Sequence, residues 1–254
     1  MTGDLTPGEW TPVERGPRWR VAVGVPPAAE ADQWLAADRL ADPDGPGLGV
    51  LLAAERDSSG HRTEHAAALT LMAVYAGWVT AAAVLHWALT DEVPDLRAGN
   101  VLVRPGTHGI AGVRVRRARL AVAERGEPSV ALLHRVVLEG HLLPVAEALH
   151  RRTRAGRRQL RGGVAHGCAT ALCAVDGPVD LLEERWRLLV RDAPGGLAAL
   201  GETARVRGVR DGRERLVYLR RTCCLFHTST EAVRCASCCL TDRAERLRAY
   251  AAAR

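Results

Sequence analysis

Five of the seven cysteines of this 254-residue chain fall within the seventeen residues from Cys223 to Cys239. They form a vicinal pair, Cys223-Cys224, then ten intervening residues, then Cys235-Ala236-Ser237-Cys238, with Cys239 directly behind. Thiolates hold metals of intermediate softness, zinc or the iron of sulfur clusters. Four of them complete a tetrahedral zinc site or the terminal coordination of a [2Fe–2S] cluster. Zinc knuckles normally present two spaced pairs, and here one pair is adjacent. Adjacent side chains on an extended strand point to opposite faces. They share a site only where the backbone turns, or where the site is large enough to take ligands from two directions. The spacing therefore admits both groups and favours the larger, two-iron cluster.

The pattern C-C-x10-C-x2-C at Cys223, Cys224, Cys235 and Cys238, preceded by Arg220-Arg221-Thr222, resembles the C-terminal signature of the FhuF-like ferric-siderophore reductases. A weaker similarity runs through Leu85 to Arg104 and Leu142 to Val175, including Pro144 and Arg161-Gly162-Gly163, and spans most of residues 60–240. The resemblance implies that these four cysteines ligate a [2Fe–2S] cluster. It implies one-electron reduction of iron(III) in a siderophore chelate, releasing iron(II) in the cytoplasm. It also implies an external electron donor, such as a reduced flavin, a ferredoxin or a flavin reductase, and leaves room for peripheral association with the inner membrane. Cys239 departs from the pattern: it could substitute for Cys238 or be a bystander thiol, and the C-x2-C spacing of Cys238 favours the bystander reading. Arg220 and Arg221 are placed to draw an anionic chelate toward the centre.

From the residues alone, two other classes stay open. One is a non-enzymatic [2Fe–2S] electron carrier or redox sensor, and the other is a structural zinc knot in a binding protein. No competing constellation appears: there is no H-E-x-x-H and no G-x-S-x-G. Gly45, Gly47 and Gly49 lack the third glycine of a dinucleotide fingerprint, because position 50 is Val50. The chain has no lysine, so all 35 basic residues are arginine and a P-loop is excluded. A net charge of +6 with only 4% aromatic residues does not point to nucleic acid. Odd, clustered cysteines and an N-terminus without a basic and apolar leader pattern suggest a reducing cytoplasm.

The scaffold reads as α+β and helix-rich, with short antiparallel strands and a C-terminal hairpin leading into the cysteine-rich iron–sulfur loop. Three segments are expected: an N-terminal variable region, 1–60; a helix-rich α+β reductase scaffold, 61–221; and a C-terminal [2Fe–2S]-binding segment, 222–254. Arg18–Val25 alternates as a strand, and Ala28–Ala41 reads as a short helix. Residues 64–90 form the strongest helix, with no Asp, Glu, Lys or Arg from His65 to Thr90. Its alanine content and lack of basic anchors favour a buried helix over a membrane span. Asn100–Arg104 and Ile110–Arg119 are strands around a Pro-Gly turn. Pro128–Arg154 is helical, with a break at Pro144 near Leu143. An arginine-rich stretch from Arg151 to Arg161 follows. Gly162–Val175 and Val179–Arg191 are helices. Ala204–Val209 and Arg215–Leu219 form a hairpin, with Val206, Val209, Leu216, Val217 and Leu219 inward and the arginines facing out or lining the approach to the cysteines. Asp242 caps a last helix.

Overall fold

A computed structural model describes residues 21–174 and 177–253. The fold is α+β. Its axis is helix α2 (Glu64–Thr90), which buries residues on every side, from Ala66 to Ala88. The Thr63 hydroxyl caps it by accepting the Ala66 N–H at 3.2 Å. Alanine dominates this helix, so neighbouring elements approach its backbone closely. α2 and the helical run Ser129–Thr153 are both long and apolar enough to cross a membrane, and both bury most of that apolar length inside the fold.

The closest neighbour is α5 (Arg157–Cys173). Gly163 and Gly167, one turn apart, face α2. A β-carbon at Gly167 would lie 2.6 Å from the Ala76 carbonyl carbon and 2.8 Å from the Gly77 nitrogen. One at Gly163 would lie 3.0 Å from the Ala73 nitrogen. The two backbones are therefore in contact, and only glycine fits between them.

Helix α1 (Pro46–Ser59) packs against α2 and carries Leu48, Leu51, Leu52 and Glu55 inward. Its glycines at 47 and 49 weaken the helical pattern, which hides this helix from the sequence reading. Pro46 in its first turn and the left-handed Gly60 (φ 63°) at its end are the signals that mark it. The Ala28–Ala41 segment is not one helix. Two 3₁₀ turns, Ala28–Gln33 and Ala37–Ala41, flank strand β2 (Leu35–Ala36). Pairing with Val103 and Leu102 pulls these residues out of helical geometry. β2 joins β3 (Val101–Gly106), β4 (Gly109–Val115) and β1 (Ala22–Val23) in a sheet of order β1-β4-β3-β2, with β1 parallel to β4 and the rest antiparallel. Arg18–Arg20 of the expected first strand lie outside the described residues. Asn100 ties the sheet's entry together, its side chain donating to the Asp95 and Arg117 carbonyls.

The stretch after Pro128 is continuous: α3 (Ser129–Leu133), a π-helical segment (His134–Leu142) and α4 (Leu143–Thr153). Pro144 offers no N–H, and the expected break appears as this widened segment, where the Leu143 N–H reaches back to the Leu138 carbonyl. After α6 (Val179–Arg191), strands β5 (Gly201–Arg207) and β6 (Glu214–Arg220) pair antiparallel, with Gly201 opposite Arg220. Leu216, Val217, Tyr218 and Leu219 are buried, while Val209, expected inward, sits exposed in the connecting loop. α7 (Arg243–Ala252) closes the chain, with the Asp242 carboxylate accepting the Ala244 N–H at 2.8 Å. One core cluster runs from Val21 to Tyr218, so residues 21–60 share it with the rest of the chain.

Gly167→Ala should strain this contact, because the Ala76 and Gly77 backbone cannot yield as a flexible side chain does. Overpacking of this kind costs about 1–3 kcal/mol. The expected result is a lower urea midpoint with an unchanged slope, and a Gly77→Ala control, where the added carbon meets nothing within 4 Å, should cost less.

Candidate metal centre

The C-terminal hairpin hands the chain directly to the cysteines. At the end of β6 the Arg221 N–H donates to the Leu200 carbonyl at 2.9 Å. Thr222 then packs against α5, where a β-carbon at Gly162 would overlap its hydroxyl. The vicinal pair follows. Thr70, on the first turns of α2, donates its hydroxyl to the Cys224 carbonyl at 3.2 Å. Leu225 adopts a left-handed conformation (φ 59°), and its N–H points at the Cys223 Sγ at 3.4 Å. The backbone thus turns immediately after the pair, as two adjacent ligands of one centre require.

The loop next docks on the end of α1. The Thr230 N–H and hydroxyl both donate to the Ser59 carbonyl, at 2.9 and 3.2 Å. A second turn brings Cys235 and Cys238 together, the Cys238 N–H donating to the Cys235 carbonyl at 2.9 Å. The Arg220 N–H donates to the Ser237 carbonyl at 3.2 Å, which fastens this turn back onto β6. Cys235 is the exposed member of the set, its Sγ 3.2 Å from the Ser237 hydroxyl. Cys223, Cys224, Cys238 and Cys239 are half-buried. His227 is at the site too, with Nδ1 3.9 Å from the Cys223 Sγ.

Cys239 belongs to the same group. Burial raises its thiol pKa, and so do its neighbours Cys223 and Cys238, while Arg220 acts in the opposite direction. The turn after Cys238 returns the Cys239 side chain toward Cys223, a nearness that spacing alone does not show. The thiols are gathered but not closed onto one point: among the described residues no three His, Cys, Asp or Glu side chains form a ligand set. Cys168 and Cys173 stand apart on α5, and burial pushes both thiols up to about 12, so they are apolar packing groups at neutral pH.

Arg220, expected at the surface, is 3% exposed. Its Nε and Nη2 are buried and have no hydrogen-bond partner. Arg221 is accounted for, paired with Glu202 at 2.6 Å, and Glu202 also accepts from Arg243 at 3.1 Å. A buried guanidinium without an anion is costly. The groups beside it that can become anionic are thiols. An unmatched cation beside Cys239, which itself neighbours Cys223 and Cys238, fits a negatively charged metal–thiolate group, and Cys223, Cys224, Cys235 and Cys238 are the residues whose spacing would hold it.

On the opposite side, beneath the Cys224 carbonyl, lies a buried polar chain absent from the sequence reading. The Ser59 hydroxyl donates to Glu55 at 2.7 Å. His61 Nε2 stands 3.0 Å from the Thr70 hydroxyl and 3.9 Å from the Glu55 carboxylate. Glu55 Oε2 and His61 Nδ1 are buried without partners. Burial raises the Glu55 pKa to about 7, the Ser59 hydrogen bond opposing it, and burial lowers that of His61. The signal was the spacing of Glu55 and Ser59 on the inward face of α1, in a helix that itself was not foreseen.

A comparison with protein-family models finds none that matches the chain, and a comparison with curated proteins finds no match either.

The folded pKa of Glu55 exceeds its unfolded value of 4.5. Its burial is therefore fully tolerated below about pH 4.5, and stability is lost as pH rises through about 7. Glu55→Gln should remove that loss. Relative to the parent chain it should gain on the order of 2–3 kcal/mol at pH 8 compared with pH 5, read from paired denaturant titrations. Equal differences at the two pH values would refute the assignment.

Proposed function

We propose that the chain is an iron–sulfur ferric-siderophore reductase, with Cys223, Cys224, Cys235 and Cys238 holding one [2Fe–2S] cluster. The observation that supports this reading is the nearness of Cys223, Cys238 and Cys239, with the buried, unmatched Arg220 guanidinium beside Cys239 where β6 runs into the vicinal cysteines. When bound, the cluster would supply one electron at a time to the iron(III) of a chelate, at a potential that reaches about −400 mV in plant-type four-thiolate centres. Siderophores hold hard iron(III) through oxygen donors. Iron(II) is softer and held less strongly, so one electron loosens the chelate and releases the metal.

The chain's own residues supply three things to this chemistry. Thr70 and the left-handed Leu225 fix the vicinal pair in a turn. Gly162, with no side chain, leaves room for Thr222 and lets the loop sit against α5. Cys235 opens the centre to the outside: beside it is a cleft of about 500 Å³, walled by His166, Thr170, Tyr218, Ser237 and Tyr250. Among the described residues no carboxylate lines that cleft, and Arg215 is part of its wall, which suits a chelate that is neutral or anionic. Electrons would be refilled by a separate donor of the flavin or ferredoxin class.

Anaerobic purification with iron, sulfide and zinc analysis tests the reading directly. Two irons and two sulfides per chain are expected, with a visible chromophore and an EPR signal that appears on dithionite reduction. The reduced protein should release iron(II) from ferric siderophores to a colorimetric trap. Serine at any of Cys223, Cys224, Cys235 or Cys238 should abolish the chromophore, and Cys239→Ser should keep it. One zinc per colourless chain would replace the reductase reading with a structural zinc knot. A cluster that reduces but passes no electron to any ferric chelate would point to a carrier or sensor.

If the chelate docks beside Cys235, a bulky side chain at Thr170 should obstruct it. Thr170→Trp should raise KM for the ferric chelate several-fold with iron and sulfide content unchanged. An unchanged KM would move the docking site elsewhere.

A further inference from the structure

Arg220 poses a question that the proposed reaction does not answer. It is an interior residue on the last position of β6, and its main chain is fully engaged. Its N–H donates to the Ser237 carbonyl at 3.2 Å, and its carbonyl accepts Arg246 Nη1 at 3.0 Å. Its side chain is not: Nε and Nη2 are both buried and without a partner. Glu202, the carboxylate at this end of the hairpin, is already shared by Arg221 and Arg243. Among the described residues no carboxylate lies within ion-pair distance of Arg220. The groups its charge reaches are Cys239 and Tyr218. Burial keeps the Tyr218 phenol protonated, so it cannot serve as the anion.

We propose that Arg220 is the built-in counter-cation of the cysteine centre, a positioning residue whose partner anion is the metal–thiolate group itself. The assignment rests on the reading of the cysteines as metal ligands. A centre of four thiolates around zinc, cobalt or two ferric irons carries net negative charge, and one more electron makes it more negative. A buried guanidinium at its edge lowers the cost of gathering that charge and favours the reduced form. The same cation has no partner when the thiols are protonated, so it opposes folding of the metal-free chain. Removing it should therefore move the metal-free and the metal-bound protein in opposite directions, which a merely structural arginine would not do.

Two variants test this. Arg220→Met replaces the cation by an apolar chain of similar length, and Arg220→Lys keeps the charge. In the metal-free chain, Arg220→Met should raise the denaturation midpoint, because an unpaired buried charge is replaced by a packed apolar group. Titrated anaerobically with cobalt(II) and followed by the thiolate charge-transfer absorption, the same variant should bind at least tenfold more weakly. Arg220→Lys should stay within about threefold of the parent. In the cluster-loaded protein, Arg220→Met should disfavour reduction about tenfold, a one-electron potential more negative by about 59 mV. Unchanged cobalt affinity in Arg220→Met, or a loss of metal-free stability together with it, would overturn the proposal. The cobalt titration separates the two ideas. If the parent chain binds cobalt(II) tightly but assembles no cluster, the reductase reading falls and the Arg220 assignment is still decided. If the parent chain binds neither, both fall.

Discussion

The structure depends on how closely α5 can lie against α2. Gly163 and Gly167 bring the two backbones into contact at Ala73, Ala76 and Gly77. That contact fixes the next residue along, because Gly162 faces the other way and receives Thr222. Thr222 immediately precedes the vicinal cysteines, and Thr70 on α2 holds the Cys224 carbonyl from the far side. The cysteine pair is thus clamped between the two helices that form the centre of the core. A loop with two non-glycine residues at positive φ, Leu225 and Ala232, would otherwise have little reason to keep one shape.

Around that clamp the unsatisfied groups are of opposite kinds. Beneath Cys224 lies a carboxyl that burial keeps largely protonated up to neutral pH, linked through His61 and Thr70 to the loop backbone. Beside Cys239 lies the buried, unpartnered guanidinium of Arg220. A carboxylate placed where Arg220 stands would repel thiolates. The unmatched cation therefore lies on the β6 side of the loop, beside Cys239, and the protonated carboxyl lies at α1.

The sequence revealed the parts of this arrangement governed by local rules. Spacing singled out Cys223, Cys224, Cys235 and Cys238. The charge-free run from His65 to Thr90 marked the core helix. Alternation and turn residues marked β3, β4 and the C-terminal hairpin. It was silent where tertiary contact decides. Leu35 and Ala36 look helical by neighbourhood but are taken by the β3 edge. Pro46–Ser59 is helical despite its glycines, because Leu48, Leu51 and Leu52 are buried by α2. Arg220 reads as one of several surface arginines in a β-hairpin. Only the return of the Ser237 carbonyl onto its N–H shows that the strand end is covered. Cys239 reads as surplus for the same reason, since its nearness to Cys223 is made by a turn and not by spacing.

The exposure of Cys235 completes the physical case. A metal centre held at this loop, with α2, α5 and β6 packed around it, would exchange electrons through its remaining side. That side carries the one exposed thiol of the group and the cleft beside it. Electron transfer needs only proximity to that edge, whereas assembly of the centre needs all the thiols to close. The two demands fall on different parts of the loop. The vicinal half is fixed by the helix pair, and the C-x2-C half is held through main-chain hydrogen bonds to β6 and to its own turn. Those bonds leave the side chains of Cys235 and Cys238 free to close while the backbone stays in place. A centre closed there would gather its negative charge beside Cys239, where the Arg220 cation already stands.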